Sequence, residues 1–532
     1  MDALPTELLA MITERTDPLV LPVLRCVNGC FKHLVLRLPR RATGRRGNHR
    51  CTLTSSCADR YGRRLIDRCL WWVLDWMIDR AGPFGGTNTL DLCASVKAAT
   101  CGDLPALTRM AKWGYRMGNE TVRCAARGGH IEILHWIAHE NPDFPVGTCT
   151  DAAESGRLDV LHLVRSKGCA WDARTFAKAA ERGHLHMLQW LRKHGCPNDS
   201  SACNLAALGG HLHVLQWLKS IGCVLDAMTV ACAAKGGHLH IVEWAINNGG
   251  RWSDRAITNA AQEGHLHVVQ WAKANGCPWT YATTGMAALN GHAHVLEWLF
   301  ANGCWLAPTV CDDAASRGHF DILQWAHAMG CPLTRSACSS AAQVGHLPML
   351  QWLRAQGCPW DAQTCINAAA GGHLDILVWA RTNGCDWNNV VIHRAIEQGH
   401  LDVLQWAVGN GCPWVMSRRW DTTMLEKAVR CGHLHIVQWL YHHGGHTSSQ
   451  KDAILCSLAA SSDHLTILWW LRSRGCPWDA RVCENALARW NMQLLEWALV
   501  NGCPWQDSDE VERAMRSHPD IRTWASGIAT TL

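Results

Sequence analysis

A chain of 532 residues exceeds what one hydrophobic core usually fills, and 48% hydrophobic against 18% charged residues excludes a largely disordered protein. A net charge of +5 over this length makes no electrostatic case for nucleic-acid binding. Thirty Trp, 28 Cys and 30 His beside four Tyr and six Phe point to one template copied many times.

The N-terminus carries Asp2 and Glu7 with no basic-then-apolar pattern, so no secretory signal is predicted. The 28 cysteines are then expected as free thiols of an intracellular, cytoplasmic protein, with nuclear entry left open. The most apolar stretch, residues 65–78, is broken by Asp67, Arg68 and Asp75 and is too short to span a membrane.

Residues 1–40 stand apart. Leu4-Pro5-x-Glu7-Leu8-Leu9-x-x-Ile12 leads to a break at Asp17-Pro18, then to Leu21, Leu24-Arg25-x-Val27-Asn28 and Phe31-x-x-Leu34. Spacings of three and four predict short amphipathic helices. The Leu-Pro-x-Glu opening and the Arg-x-Val-x-x-x-aromatic close resemble an F-box. That resemblance implies docking on the Skp-type adaptor of a cullin–RING ubiquitin ligase through Leu4, Pro5, Leu8, Leu9 and Ile12. Leu24, Val27 and Phe31 would then form the module's own core. Phe31 stands where the family more often has Trp, and the module is short. The alternative is a helical cap on the first repeat.

Residues 41–90 follow as a basic linker, with Arg40, Arg41, Arg45, Arg46 and Arg50 near glycines 44 and 47, and a capping helix over 63–80 carrying Trp71, Trp72 and Trp76.

From residue 91 to 506 a register takes over. Glycines 102, 129, 156, 183, 210, 237, 264, 291, 318, 345, 372 and 399 are each 27 residues apart. Gly432, Asp463 and Trp490 continue the series at steps of 33, 31 and 27, giving about fifteen units. In one unit, a short helix with the pair Ala179-Ala180 ends at Gly183. A second helix then places Leu185, Met187, Leu188, Trp190 and Leu191 on one face, until Gly195 and Cys196-Pro197 turn the chain away. Each unit has an apolar face too large to bury alone, so stacking is predicted: an all-α solenoid of helix–turn–helix repeats. Residues 507–532 read as a more polar terminal cap.

The recurrent Ala-Ala-x-x-Gly-His segment, as in Ala179–His184, Ala341–His346 and Ala368–His373, resembles the ankyrin repeat. So do the twelve residues between the two helix-ending glycines and the apolar residue at the buried first-helix position: Phe176, Cys203, Val230, Ile257, Cys311, Cys365 and Ile392. The period is shorter than the family's 33 because the loop that normally forms a projecting β-hairpin finger is cut to a turn such as Gly357-Cys358-Pro359-Trp360-Asp361. Only 411–422 has room for a finger. Such clipped repeats look like those of large DNA viruses of amoebae.

Thirteen Trp, among them Trp190, Trp271, Trp352 and Trp406, fall seven residues after the register position and are expected in the core of the second helix. Loop tryptophans such as Trp171, Trp252, Trp279, Trp360, Trp387 and Trp478 either cover the edge of the stack or offer anchors to a partner. Cysteines after the second glycine read as small buried groups that do not bridge between units. Histidines near the register glycine lie far from those cysteines, with no Cys-x-x-Cys or His-Glu-x-x-His, so no metal site is predicted. No nucleophile elbow or phosphate-binding glycine loop appears, so no enzyme, cofactor or membrane role is predicted.

The resemblance to ankyrin stacks implies binding through the concave side. Five residues before the register glycine the sequence varies: Lys178, Leu205, Asn259, Met286, Asp313, Asn367 and Arg394. Glu181, Lys235, Gln262, Gln343 and Glu397 vary three residues later. These predict a target-binding surface on a protein–protein interaction scaffold. With the F-box-like module it would be a substrate-recruiting ubiquitin ligase adaptor; without it, a sequestering protein.

Overall fold

The structure is a computed structural model that describes residues 88–112, 117–140, 143–413, 421–443, 449–489 and 491–504. The F-box-like residues Leu4, Pro5, Leu8, Leu9 and Ile12, the linker, the 63–80 helix, most of the 411–422 segment and the terminal cap lie outside them. Among the described residues there are thirty helices and no strand, arranged as helix pairs. The chain divides into two compact units, 1–202 and 203–532. No described helix is long and apolar enough to cross a membrane.

Within the first unit, the Gly183 repeat shows how the sequence builds the pair. Asp172 caps the first helix, Ala173–Glu181, accepting from the Arg174 and Thr175 amides in a capping box with Thr175. Phe176, Ala179 and Ala180 are fully buried. Gly183 then takes φ +77°, open to glycine at no steric cost, and the Gly183 and His184 amides return to the carbonyls of Ala180 and Ala179. The second helix, Leu185–Lys193, buries Met187, Leu188 and Leu191. Each such side chain contributes roughly 1.5–3 kcal/mol. The first helices pack in series, Asn119–Arg127 on Thr148–Ser155 and Thr148–Ser155 on Ala173–Glu181.

The second unit repeats the plan. Asp361 caps Ala362–Gly371, Gly372 turns at φ +75°, and Leu374–Thr382 buries Ile376, Leu377 and Ala380. The first helix Ala362–Gly371 packs on Arg335–Val344 before it and on Val390–Gln398 after it, with Ala368 and Ala369 fully buried. Asp463, at the register position, is the one described non-glycine residue with positive φ. All seven apolar first-helix residues named above, from Phe176 to Ile392, are fully buried.

One expectation needs correction. The second-helix tryptophans are half-buried, not core: Trp190 follows the buried pair Met187-Leu188 and precedes buried Leu191. Helical spacing alone placed it on the apolar stripe, but that stripe is wider than the buried strip. Trp470 is the exception, at 6% exposed.

Candidate partner-binding face

The residue five before each register glycine sits on one flank of the first helix, half-buried at Lys178, Leu205, Asn259, Met286, Asp313 and Asn367 and exposed at Arg394. Its neighbours decide what it can do. In the first unit this flank is charged. Asp151, with a side chain only 6% exposed, accepts from Arg123 Nε and Arg127 Nη2, both at 2.7 Å. Its hydrogen bonds hold both guanidinium pKa values above their ordinary value. Glu154 extends the network to Arg127 and Arg182, and Lys178 pairs with Glu181 at 2.9 Å. The predicted target residue Lys178 is therefore half-buried and held in an ion pair.

In the second unit Leu205 and Met286 are half-buried apolar side chains on this flank. Asn259 and Asn367 turn inward: their Nδ2 groups donate to the Ala231 and Ser339 carbonyls at 3.3 and 3.0 Å, each 28 residues back in the preceding repeat. Asn485 does the same to Ser457 at 3.0 Å. Asp313 accepts from Thr309 at 2.9 Å, and adjacent Asp312 accepts from Thr334. Burial raises the pKa of both carboxyls. Arg394 is exposed and pairs with Glu397, which also meets Lys427 and is held below its ordinary pKa by that hydrogen bond. The predicted residues of the second unit thus fall at one helical position, with differing freedom to meet a partner.

The remaining aromatic and sulfur groups are taken up by the scaffold. Loop Trp171 meets Trp190 edge-on at 5.8 Å while Arg165 stacks over it at 4.4 Å. Trp360 and Trp387 repeat this with Trp379 and Arg354, and with Trp406 and Arg381. These loop tryptophans cover the repeat edge, and each ties one second helix to the next. The histidine after the register glycine reaches the first-helix carbonyl 30 residues back: His184 to Glu154, His265 to Lys235, His373 to Gln343. Its ring occupies the space a Cβ would need on the preceding register glycine, 2.5 Å away at Gly345.

Two features escaped the sequence reasoning. Trp305, in the position where other loops carry Pro, is 86% exposed, and Thr284 Oγ1 joins its carbonyl to that of Tyr281, itself 67% exposed. Second, first-helix cysteines recur twenty residues before the loop cysteine of their own repeat, and Cys149 Sγ donates to the Cys169 carbonyl at 3.4 Å. The interval holds at Cys149/Cys169, Cys203/Cys223, Cys311/Cys331, Cys338/Cys358, Cys365/Cys385, Cys456/Cys476 and Cys483/Cys503, and loop thiols such as Cys358 and Cys385 donate to the carbonyls of Thr334 and Asp361 at 3.1 and 3.3 Å. The recurring twenty-residue interval was the available signal. Among the described residues no group of three or more His, Cys, Asp or Glu is placed to hold a metal ion.

A family model for ankyrin repeats in many copies matches residues 176–218 and 392–440. Among solved structures, the human ASB11 ankyrin repeat domain aligns over 30% of this chain and 84% of its own, at 18% identity and a TM-score of 0.25. The pentatricopeptide repeat protein PPR10 in complex with an 18-nt psaJ RNA element aligns over 90% of each chain, at 11% identity and a TM-score of 0.29. Superpositions this loose say nothing about function. No curated protein matches the chain. The matched segments span the registers of Gly183, Gly210, Gly399 and Gly432, where the helix pairs and glycine turns recur, and these segments are similar to ankyrin repeats.

Proposed function

We propose that the protein is a non-catalytic interaction scaffold that binds a protein target along its first-helix flank. The observation that carries this reading is variation at one position, from Lys178 through Leu205 and Met286 to Arg394, on an almost unchanging scaffold. Leu205 and Met286 are its best anchors. They are partly exposed and apolar, whereas Asn259 and Asn367 are engaged by the preceding repeat. With no long finger in the described loops, contact falls to the helices themselves.

The finer reading joins this flank to residues 1–40. The F-box-like pattern makes the protein a substrate adaptor, delivering its target to a cullin–RING ligase through Leu4, Pro5, Leu8, Leu9 and Ile12, in the cytoplasm of a virus-infected host cell. The test is co-purification of the full chain with a Skp-type adaptor. Binding that is lost in Leu8→Asp/Ile12→Asp supports the adaptor reading, and no binding by the intact chain leaves a sequestering scaffold.

A further inference from the structure

The starts of the second helices divide the second unit into two kinds of repeat. The N-cap is histidine in both, at His238, His265 and His292 as at His319, His373 and His400. Two residues later they part. His240, His267 and His294 follow in one uninterrupted block, with no acid in the first turn. The later helices place Asp321, Asp375 and Asp402 at that position.

In the block the imidazoles form a seam between repeats. Nε2 of His238 and of His265 donates to the carbonyls of Leu208 and Lys235, both at 3.1 Å. His267 and His294 reach the carbonyls of Gly237 and Gly264 at 3.1 and 3.2 Å. A Cβ on Gly210, Gly237 or Gly264 would lie 2.7, 2.7 or 2.6 Å from the ring of His238, His265 or His292. The two rings of each repeat are 6.1, 6.0 and 6.1 Å apart between centroids.

A proton on each ring turns this seam against itself. The Nε2–H bonds survive it, but an imidazolium at a helix N-terminus opposes the macrodipole, and its neighbour in the same turn is a second imidazolium. Burial, and after it the neighbouring imidazoles, hold His238 and His292 below the ordinary histidine pKa. Few carboxylates face the block. Glu263 lies beside His292, Glu243 and Glu297 follow His240 and His294 by three residues, and Asp321 closes the block on the next helix. Lys235 and Arg317, in the last turns of their first helices, add positive charge, as His211 and His213 do from the preceding repeat when protonated. In the other repeats a proton on His319, His373 or His400 meets a carboxylate two residues on, in a turn whose dipole favours that acid.

We propose that residues 238–294 form an acid-labile segment of the stack, in which protonation of the six seam histidines loosens successive repeats, while the repeats carrying Asp321, Asp375 and Asp402 stay closed. The sign follows from the folded state holding these protons less tightly than the unfolded chain. The seam is intact above the unfolded pKa of about 6.5 and weakens as pH falls through it.

The test is amide hydrogen exchange of the full chain at about pH 7.5 and about pH 5.5, read by mass spectrometry and corrected for the intrinsic pH dependence of exchange. Protection of the helices Leu239–Asn247, Leu266–Ala274 and Ala293–Ala301 should fall about tenfold or more in acid. That of Phe320–Ala328, Leu374–Thr382 and Leu401–Gly409 should change about threefold or less. A uniform loss over all of these helices, or no loss in the first three, would overturn the proposal. His240→Asp/His267→Asp/His294→Asp, which copies the later repeats, should abolish the difference between the two sets. Asp375→His/Asp402→His should extend the acid response to the helices that carry them. Each protein is compared with itself at two pH values, so a general loss of stability in a variant imitates neither result. Failure of either set of substitutions to move the acid response contradicts the proposal.

Discussion

The first-helix flank of residues 88–202 and that of residues 203–372 rest on the same scaffold and carry different chemistry. In the former, Asp151 and Glu154 are wrapped by Arg123, Arg127 and Arg182, so the charges largely satisfy one another. In the latter, Leu205 and Met286 are apolar, Asn259 and Asn367 bind the preceding backbone, and Asp313 accepts from the Thr309 hydroxyl. A varying position is thus not automatically a contact position. Some variation repeats the scaffold's work with different atoms.

If the scaffold is common to both regions, deleting a core leucine should cost the same in each. Leu188→Ala and Leu350→Ala, both fully buried in their wild-type form, should each destabilise by about 2–5 kcal/mol in denaturant unfolding. A large disparity would break the equivalence. The glycine turns sharpen it. Gly345 and Gly357 share φ near +80°, but a Cβ at Gly345 meets the His373 ring at 2.5 Å, whereas at Gly357 nothing lies within 4 Å. Gly357→Ala should cost about 1–2 kcal/mol from backbone strain, and Gly345→Ala roughly 1–2 kcal/mol more.

The chemical difference between the flanks predicts unequal smaller effects. Asp151→Ala leaves two partly exposed arginines facing each other and should cost about 1–2 kcal/mol, shrinking in high salt. Asn367→Ala should cost about 1 kcal/mol with no salt dependence. Acid should weigh on the histidine contacts. Burial lowers the pKa of His238 and His292 in the fold below the unfolded value. Their stability contribution is complete above the unfolded pKa of about 6.5 and is lost as pH falls through it towards the folded value. Thermal melts from pH 7.5 to 5 should fall, and less so in His238→Gln/His292→Gln.

The 27-residue register made the helix pairs, both glycine turns and the buried first-helix residues legible, because each is a local consequence of φ preference and apolar spacing repeated in phase. Trp190 was misplaced because periodicity finds a stripe, and the width of its buried part depends on the neighbouring repeat. The bonds of Asn259 and Asn367 to the preceding repeat are not legible in the sequence, because a donor aimed 28 residues back leaves no local mark. The contact of Cys149 with the Cys169 carbonyl did leave one, a recurring twenty-residue cysteine interval, but it crosses the unit from first helix to loop and is hidden when cysteines are compared only with their equivalents in other repeats. Residues 1–40 carry the adaptor reading and lie outside the described residues.

The central claim is that the protein binds through the first-helix flank while tryptophan, cysteine and histidine hold the stack. The most direct measurement is quantitative affinity capture with the full chain, comparing Leu205→Glu/Met286→Glu with Trp190→Leu/Trp379→Leu, after both variants are shown to be folded by circular dichroism. The account predicts that the flank variant loses its specific partner with stability changed by about 0.5 kcal/mol or less, while the tryptophan variant keeps the partner and melts lower. Partner binding that survives the flank substitutions and disappears with the tryptophans would contradict it.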